Sequence, residues 1–201
     1  MRKDTTVFSL PDWAFEFHRH RCPFMPIGYR MGSKTLGARR DQGHDYSIFA
    51  ELGVGHPQTR MMDGLQASNG CTYGKLMIER QNFGKLAATS WTPSKGSVRI
   101  AVKPDFTDML GKFEFFKYRK KGIEPSRIPE PVRLEVIHKV LNGTDDELFD
   151  VKLRPTSSTR RFPARSTRPC ARSVASACSN AIFGRRMEKS YAFHVRDITD
   201  E

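Results

Sequence analysis

Two strand-like runs, "GKLAATSWT" and "GSVRIAVKP", flank the short segment "PSKG". Strands joined by so short a loop pair antiparallel, because a parallel pair needs a crossover of a dozen residues or more. That one feature commits the chain to sheet. Around it lie segments of helical period. "PIGYRMGSKTLGARR" carries Ile27, Met31 and Leu36 near helical spacing, which predicts a helix from about Pro26 to Arg39. "TRMMDGLQASNG" predicts another, stopped by Asn69-Gly70. "DFTDMLGKFEFFKYRKKG" predicts a single helix with a Phe/Met stripe. "PEPVRLEVIHKVLNG" predicts one with Val132, Val136, Ile137, Val140 and Leu141 on one face. "DWAFEFHRH" is a short amphipathic segment with Asp12 as its cap, "YSIFAELGVG" a strand, and "DELFDVKLRP" a final strand. Helices and antiparallel strands alternate without βαβ regularity. The expected class is α+β, a mixed or antiparallel sheet packed with helices, followed by a C-terminal tail.

A hydrophobic fraction of 38% over 201 residues is enough for one core. We expect residues 1–153 to form it and 154–201 to be a separate tail. No apolar run approaches the ~18 residues of a membrane span. "MRKDTTVFSLPDWAF" contains no continuous apolar stretch, so neither a signal peptide nor a membrane association is expected, and the cytoplasm is. Four cysteines are too few for a disulfide scaffold in a chain of this length.

The chemistry gathers in "FHRHRCPFMPIGYRMG". Extended chain sends alternate side chains to one side, so an extended "HRHRC" points His18, His20 and Cys22 together and Arg19 and Arg21 away. Pro23 biases Cys22 toward that geometry. Imidazole and thiolate suit zinc or another divalent transition metal, and a site needs three or four such ligands. Cys71, just past a helix stop in Gly-rich chain, is the natural fourth. If the segment is helical instead, His18 and Cys22 share a face and His20 points away. The same residues admit a second chemistry, with Cys71 as nucleophile, His18 or His20 as base, and Lys75 or Lys85 supplying positive potential.

"FHRHRCP…GYRMG" followed by "DGLQASNGCTYGKLMIERQNFGKLAATSW" resembles the FmdE family, named after one of the subunits of formylmethanofuran dehydrogenase, over about residues 10 to 150. The family pattern runs roughly F-H-G-H-x-C-P-G, then D-x-I-Q-x-x-T-G-C-T-x-G-K. The resemblance implies an α+β core, often dimeric, whose His and Cys residues line a groove able to hold a metal. It places His18, His20, Cys22, Gln66 and Cys71 in that groove, with Lys75 and Lys85 nearby. It also implies a molybdenum or tungsten oxidoreductase of one-carbon metabolism as partner, with this chain in an accessory or metal-handling role. A free-standing cysteine- or metal-dependent enzyme is the alternative. Two departures stand out: Arg19 replaces the glycine between the histidines, and Phe24 replaces the glycine after Pro23.

Many family members end in a small zinc finger with paired C-x-x-C motifs. This chain has no C-x-x-C, and Cys170 and Cys178 are eight apart. Residues 155–186 hold seven Arg and six Ser, and no Asp, Glu or Lys. Shifting the reading frame changes the picture. If each codon takes the third base of one residue and the first two of the next, codons from Cys170 onward permit C-x-x-C-G-E-R-V-F-E-R-Y-L-R. "KSYAFHV" then permits V-L-C-I-P-C, and the final "DE" permits a stop. We expect a frameshift between about Arg154 and Cys170 that has overwritten a four-cysteine finger. The charge reading changes with it. Residues 154–201 carry ten Lys/Arg against four Asp/Glu, half of the net +12. Without the tail, no helix-turn-helix or aromatic RNA-binding signature remains, so nucleic acid is not an expected partner and a basic nucleic-acid-binding module ranks last of the three readings.

Overall fold

The computed structural model describes residues 8–38, 46–93 and 95–154. Of the expected 154–201 tail only Arg154, the last residue of a strand, is described, and everything else expected of it lies outside the described residues. The elements run α1 (Asp12–His18), α2 (Phe24–Ala38), β1 (Ser47–Ala50), α3 (His56–Asn69), β2 (Ile78–Arg80), β3 (Ala87–Thr92), β4 (Gly96–Val102), α4 (Pro104–Leu110), α5 (Glu114–Lys120), α6 (Glu130–Asn142), α7 (Asp145–Leu148) and β5 (Phe149–Arg154). This is the α+β class that the segment pattern indicates.

The hairpin β3–β4 is antiparallel as expected, with Ala88 opposite Ile100 and Ser90 opposite Val98. It sits inside a five-stranded sheet of order β2-β1-β3-β4-β5. Among the described strands only β1–β2 pair parallel. The sheet face bearing Ile48, Ala88, Val98 and Ile100 is buried against Met61 and Leu65 of α3 and Val136 and Val140 of α6. Those helical residues recur at i, i+4, the spacing that makes one stripe. Among the described residues no helix is long and apolar enough to cross a membrane.

Helices α2 and α3 pack backbone against backbone. A Cβ on Gly28 would overlap the Met61 carbonyl, and one on Gly64 would overlap the Met25 carbonyl and the Tyr29 nitrogen. Glycine is required here because a close crossing leaves no room for a side chain. Arg30, buried on α2, locks the pair to the rest. Its guanidinium donates to the carbonyls of Val140, Leu141 and Gly143 at the end of α6 and to Asp145 at 2.8 Å. These are C-terminal carbonyls without helical partners, which a cation suits.

Three expectations are corrected. Asp12 does not cap α1: Pro11 holds the N-cap position, no side-chain cap hydrogen bond forms, and Asp12 is the first helical residue. The single helix predicted across 105–122 is two, because the chain leaves helical geometry after Gly111 and Phe113 is extended (φ −64°, ψ 149°). The break lets Phe106 and Leu110 bury with α4 while Phe115 buries with α5. The strand predicted over "DELFDVKLRP" begins only at Phe149. Thr144 and Glu147 form a reciprocal capping box that turns Asp145–Leu148 into a helical turn first. Strand β2, three residues with one buried, carries too short a pattern to be read from sequence.

Candidate functional site

Helix α1 buries Ala14, Phe15 and His18 along one stripe. It stops at Arg19, which adopts the left-handed conformation (φ 65°) and donates its N–H to the Glu16 carbonyl at 3.1 Å. The chain therefore reverses between the two histidines. The segment is neither the expected strand nor the alternative continuous helix. The reversal stacks the His20 ring beside the His18 ring, centroids 4.3 Å apart, and returns Cys22 to His18. Pro23 ends the turn, and α2 starts at Phe24.

Each ring is fixed by its Nδ1. His18 Nδ1 donates to Asp63 Oδ2 of α3 at 2.7 Å. His20 Nδ1 donates to the His18 carbonyl at 3.3 Å. A carboxylate and a carbonyl can only accept, so each hydrogen sits on Nδ1 and each Nε2 is left to serve as ligand. Cys22 Sγ is 3.3 Å from His18 Nε2. Nε2 of His20 is buried and has no hydrogen-bond partner among the described residues. One ligand atom from each of His18, His20 and Cys22 lies within 4.8 Å of the other two.

Burial opposes charge on both members of the His18–Cys22 pair, and their contacts overcome it. Desolvation pulls His18 down, but hydrogen bonds to Asp63 and Cys22 and the charges of both lift it to about 9. Desolvation pushes the Cys22 thiol up. The neighbouring His18 and His20 rings, the His18 charge and the Met25 backbone N–H bring it down to about 6. These contacts favour the charged form of both groups while no metal is bound, with the second hydrogen of His18 on Nε2 facing the sulfur, and a metal ion would displace that hydrogen. With one, the same donors are the nitrogen and sulfur ligands that zinc-like ions take. The orphaned His20 Nε2 and this donor set both fit a divalent transition metal.

The remaining expected residues fall elsewhere. Cys71 is fully buried in the main core, its N–H donating to Asn69 Oδ1 at 2.8 Å, and within one chain its sulfur does not join the His/Cys group. Gln66 accepts from the Tyr73 N–H at 3.0 Å, and Lys75 Nζ donates to the Gly70 carbonyl at 3.1 Å. Both brace the turn that carries Cys71. Lys85 lies 3.9 Å from Glu51 and over the Phe83 ring. Asp63, which orients His18, was not among the expected residues. It opens the same "DGLQ" stretch that supplied Gln66, and that was its only signal.

A groove of about 480 Å³ adjoins the group, lined by Asp12, Phe15, Glu16, Arg19, His20 and Arg21. His20 belongs to both.

An α+β protein with two histidines, each held through its Nδ1, and a cysteine gathered between two helices is the class that this fold and site define. Residues 17–150 match the FmdE family, described as "Molybdenum formylmethanofuran dehydrogenase operon", and the chain belongs to that family. Among curated proteins it is 34% identical over 83 residues to a "Probable S-adenosyl-L-methionine-binding protein" of Archaeoglobus fulgidus, an alignment covering 38% of this chain. The chain spans only 21% of that protein's length. A crystal structure of a tungsten formylmethanofuran dehydrogenase FmdE-like protein from Syntrophus aciditrophicus aligns with a TM-score of 0.45 and 16% identity, over 72% of this chain and 69% of that one.

Proposed function

We propose that this chain holds one divalent transition metal, zinc by ligand preference, through Nε2 of His18, Nε2 of His20 and Sγ of Cys22. It serves as an accessory or metal-handling partner of a molybdenum or tungsten oxidoreductase of one-carbon metabolism. The observation that carries the reading is the buried, unpartnered Nε2 of His20 beside a His18–Cys22 pair already oriented by Asp63. Bound there, such an ion supplies a Lewis acid and an acidified water. The chain's own part is positional: Asp63 and the His18 carbonyl hold the two hydrogens off the ligating nitrogens, and the thiol stays ionised. Residues 1–153 are the working core, acting in the cytoplasm. A homodimer belongs to the same reading, with the exposed Tyr73, Leu76 and Phe83 as apolar side chains that it would cover, and sedimentation checks it.

Elemental analysis of the purified full chain tests the metal. One equivalent is expected, lost in His20→Ala and Cys22→Ser and retained in Cys71→Ser. Metal retained by both His20→Ala and Cys22→Ser sinks the ligand set.

The second reading, a cysteine enzyme acting on a small substrate, is favoured by one observation, Cys22 Sγ lying 3.3 Å from His18 Nε2, a neighbour that lowers the thiol's pKa. It moves the nucleophile from Cys71 to Cys22. Purified protein without stoichiometric metal, whose Cys22 is alkylated at pH 6 and protected by a substrate, supports it over the first.

A further inference from the structure

Arg19 occupies a position that disfavours it. A side chain in the left-handed region crowds the following carbonyl, and glycine is the usual helix-ending residue there. Arg19 sits at φ 65° all the same. The residue is exposed, and its guanidinium has no side-chain hydrogen bond, ion pair or ring contact among the described residues. It does line the groove beside the His/Cys group, which reaches that groove through His20.

The other charges of the groove narrow what the guanidinium faces. Arg21 is already engaged, 3.9 Å from Asp12 and 5.1 Å over the Phe15 ring. Glu16 is exposed, lines the groove and has no side-chain partner among the described residues. A free guanidinium attracts an anion, and its planar fork matches a carboxylate. Asp12 and Glu16 in the same lining oppose a second negative charge, which disfavours phosphate dianions. Three protein ligands also leave one tetrahedral position for an exogenous group.

We propose that Arg19 is a specificity-determining residue that receives the carboxylate of a small monoanionic ligand whose other end coordinates the metal beside His20. This rests on the metal-binding reading above. It assigns the substrate or cargo class as a small organic monocarboxylate, and it gives the strained residue a reason to be arginine in this chain.

The test uses the full chain loaded with cobalt(II), whose visible spectrum reports a new ligand directly. Imidazole-4-acetate and 4-methylimidazole offer the same donor, one with a carboxylate and one without. The expected wild-type preference for imidazole-4-acetate is about tenfold, the scale of one charge-assisted hydrogen-bond pair in a partly exposed site. Arg19→Gly and Arg19→Gln should each bring the ratio close to one with cobalt stoichiometry unchanged, and Arg19→Lys should keep part of it. Arg19→Gly should also melt higher than wild type, since it relieves the left-handed residue. A preference that survives in both the Gly and Gln variants, or is missing from the wild type, overturns the assignment of Arg19 while leaving the metal site standing. Failure to load cobalt at all overturns the metal reading and this inference with it.

Discussion

Asp63 on α3 grips the imidazole of His18 on α1, Oδ2 to Nδ1, at 2.7 Å across 45 residues of sequence. The contact decides which nitrogen of His18 is available, because a carboxylate on Nδ1 fixes the hydrogen there and raises the basicity of Nε2. It also ties the orientation of a short helix to the position of a longer one. The site is therefore as sharp as the packing of α2, α3 and α1 allows.

Removing the carboxylate should loosen the metal without unfolding the protein. Asp63 is 39% exposed on its side chain, and its loss leaves one buried donor, the Nδ1–H of His18, without its acceptor. For Asp63→Ala we expect metal affinity to fall roughly 10- to 100-fold, the usual effect of deleting such an outer partner. Asp63→Asn, which keeps an acceptor but no charge, should fall between. Competition with a chromophoric chelator measures it. Unchanged affinity in Asp63→Ala would show that His18 is held by something else.

The α2–α3 crossing gives a second prediction, on stability. In Gly64→Ala the new methyl meets the Met25 carbonyl and the Tyr29 nitrogen, both backbone atoms that cannot rotate away. We expect a loss of about 1–3 kcal/mol from overpacking, and a similar loss for Gly28→Ala. Gly74 has nothing within 4 Å of an added Cβ, so Gly74→Ala should be near neutral. Urea denaturation at constant slope separates these. Because Gly64 adjoins Asp63, Gly64→Ala should also weaken metal binding.

Asp145 supplies a pH dependence away from the metal ligands. Burial pushes its carboxyl up, but hydrogen bonds from Lys34 and Arg30, each at 2.8 Å, and their charges hold it below its ordinary value of 3.8. A carboxyl more acidic in the folded state stabilises the fold above its unfolded value, and that stability is lost as the pH falls through the folded value. Asp145→Asn should therefore cost about 1–2 kcal/mol at neutral pH, modest because the carboxylate is nearly half exposed. The gap between wild type and variant should narrow below pH 4. Thermal melts from pH 2 to 7 report it, and a gap constant down to pH 2 would remove Asp145 as its source.

Several of these relationships were legible in the sequence, and others could not be. The hairpin, α3 with its Gly70 stop, and the Val136/Ile137/Val140 face of α6 announced themselves, since apolar spacing and turn residues act locally. The grouping of His18, His20 and Cys22 was legible too, but for the wrong geometric reason. Alternation suggested a strand, whereas a helix end and one left-handed residue do the work. An arginine in that role carries no local signal; only the glycine at that place in the family pattern hints at it. Asp63 was invisible for a different reason. An aspartate on a helix surface is ordinarily solvated, and nothing within its own segment says that another helix will bring an imidazole to it. Arg30, a buried cation taking up the end carbonyls of α6, depends on contacts more than a hundred residues away.

The tail offers a test that needs no structure. In the given frame, residues 155–186 contain neither acid nor lysine, and the two late cysteines, Cys170 and Cys178, lack metal spacing. In the shifted frame, codon choices consistent with the same residues spell paired C-x-x-C motifs around an aromatic and arginine-bearing segment. Degeneracy allows many readings, but two correctly spaced pairs in one frame are several coincidences at once. A four-cysteine site would bind a second zinc with thiolate ligands alone. We therefore expect resequencing across the codons for Arg154 to Cys170 to find one inserted or deleted base. Intact mass of protein from the native gene should differ from that of the 201-residue chain. A native gene that needs no single-base change to give the sequence as it stands, with an intact mass to match, removes the second zinc site and returns half of the +12 charge to the working protein.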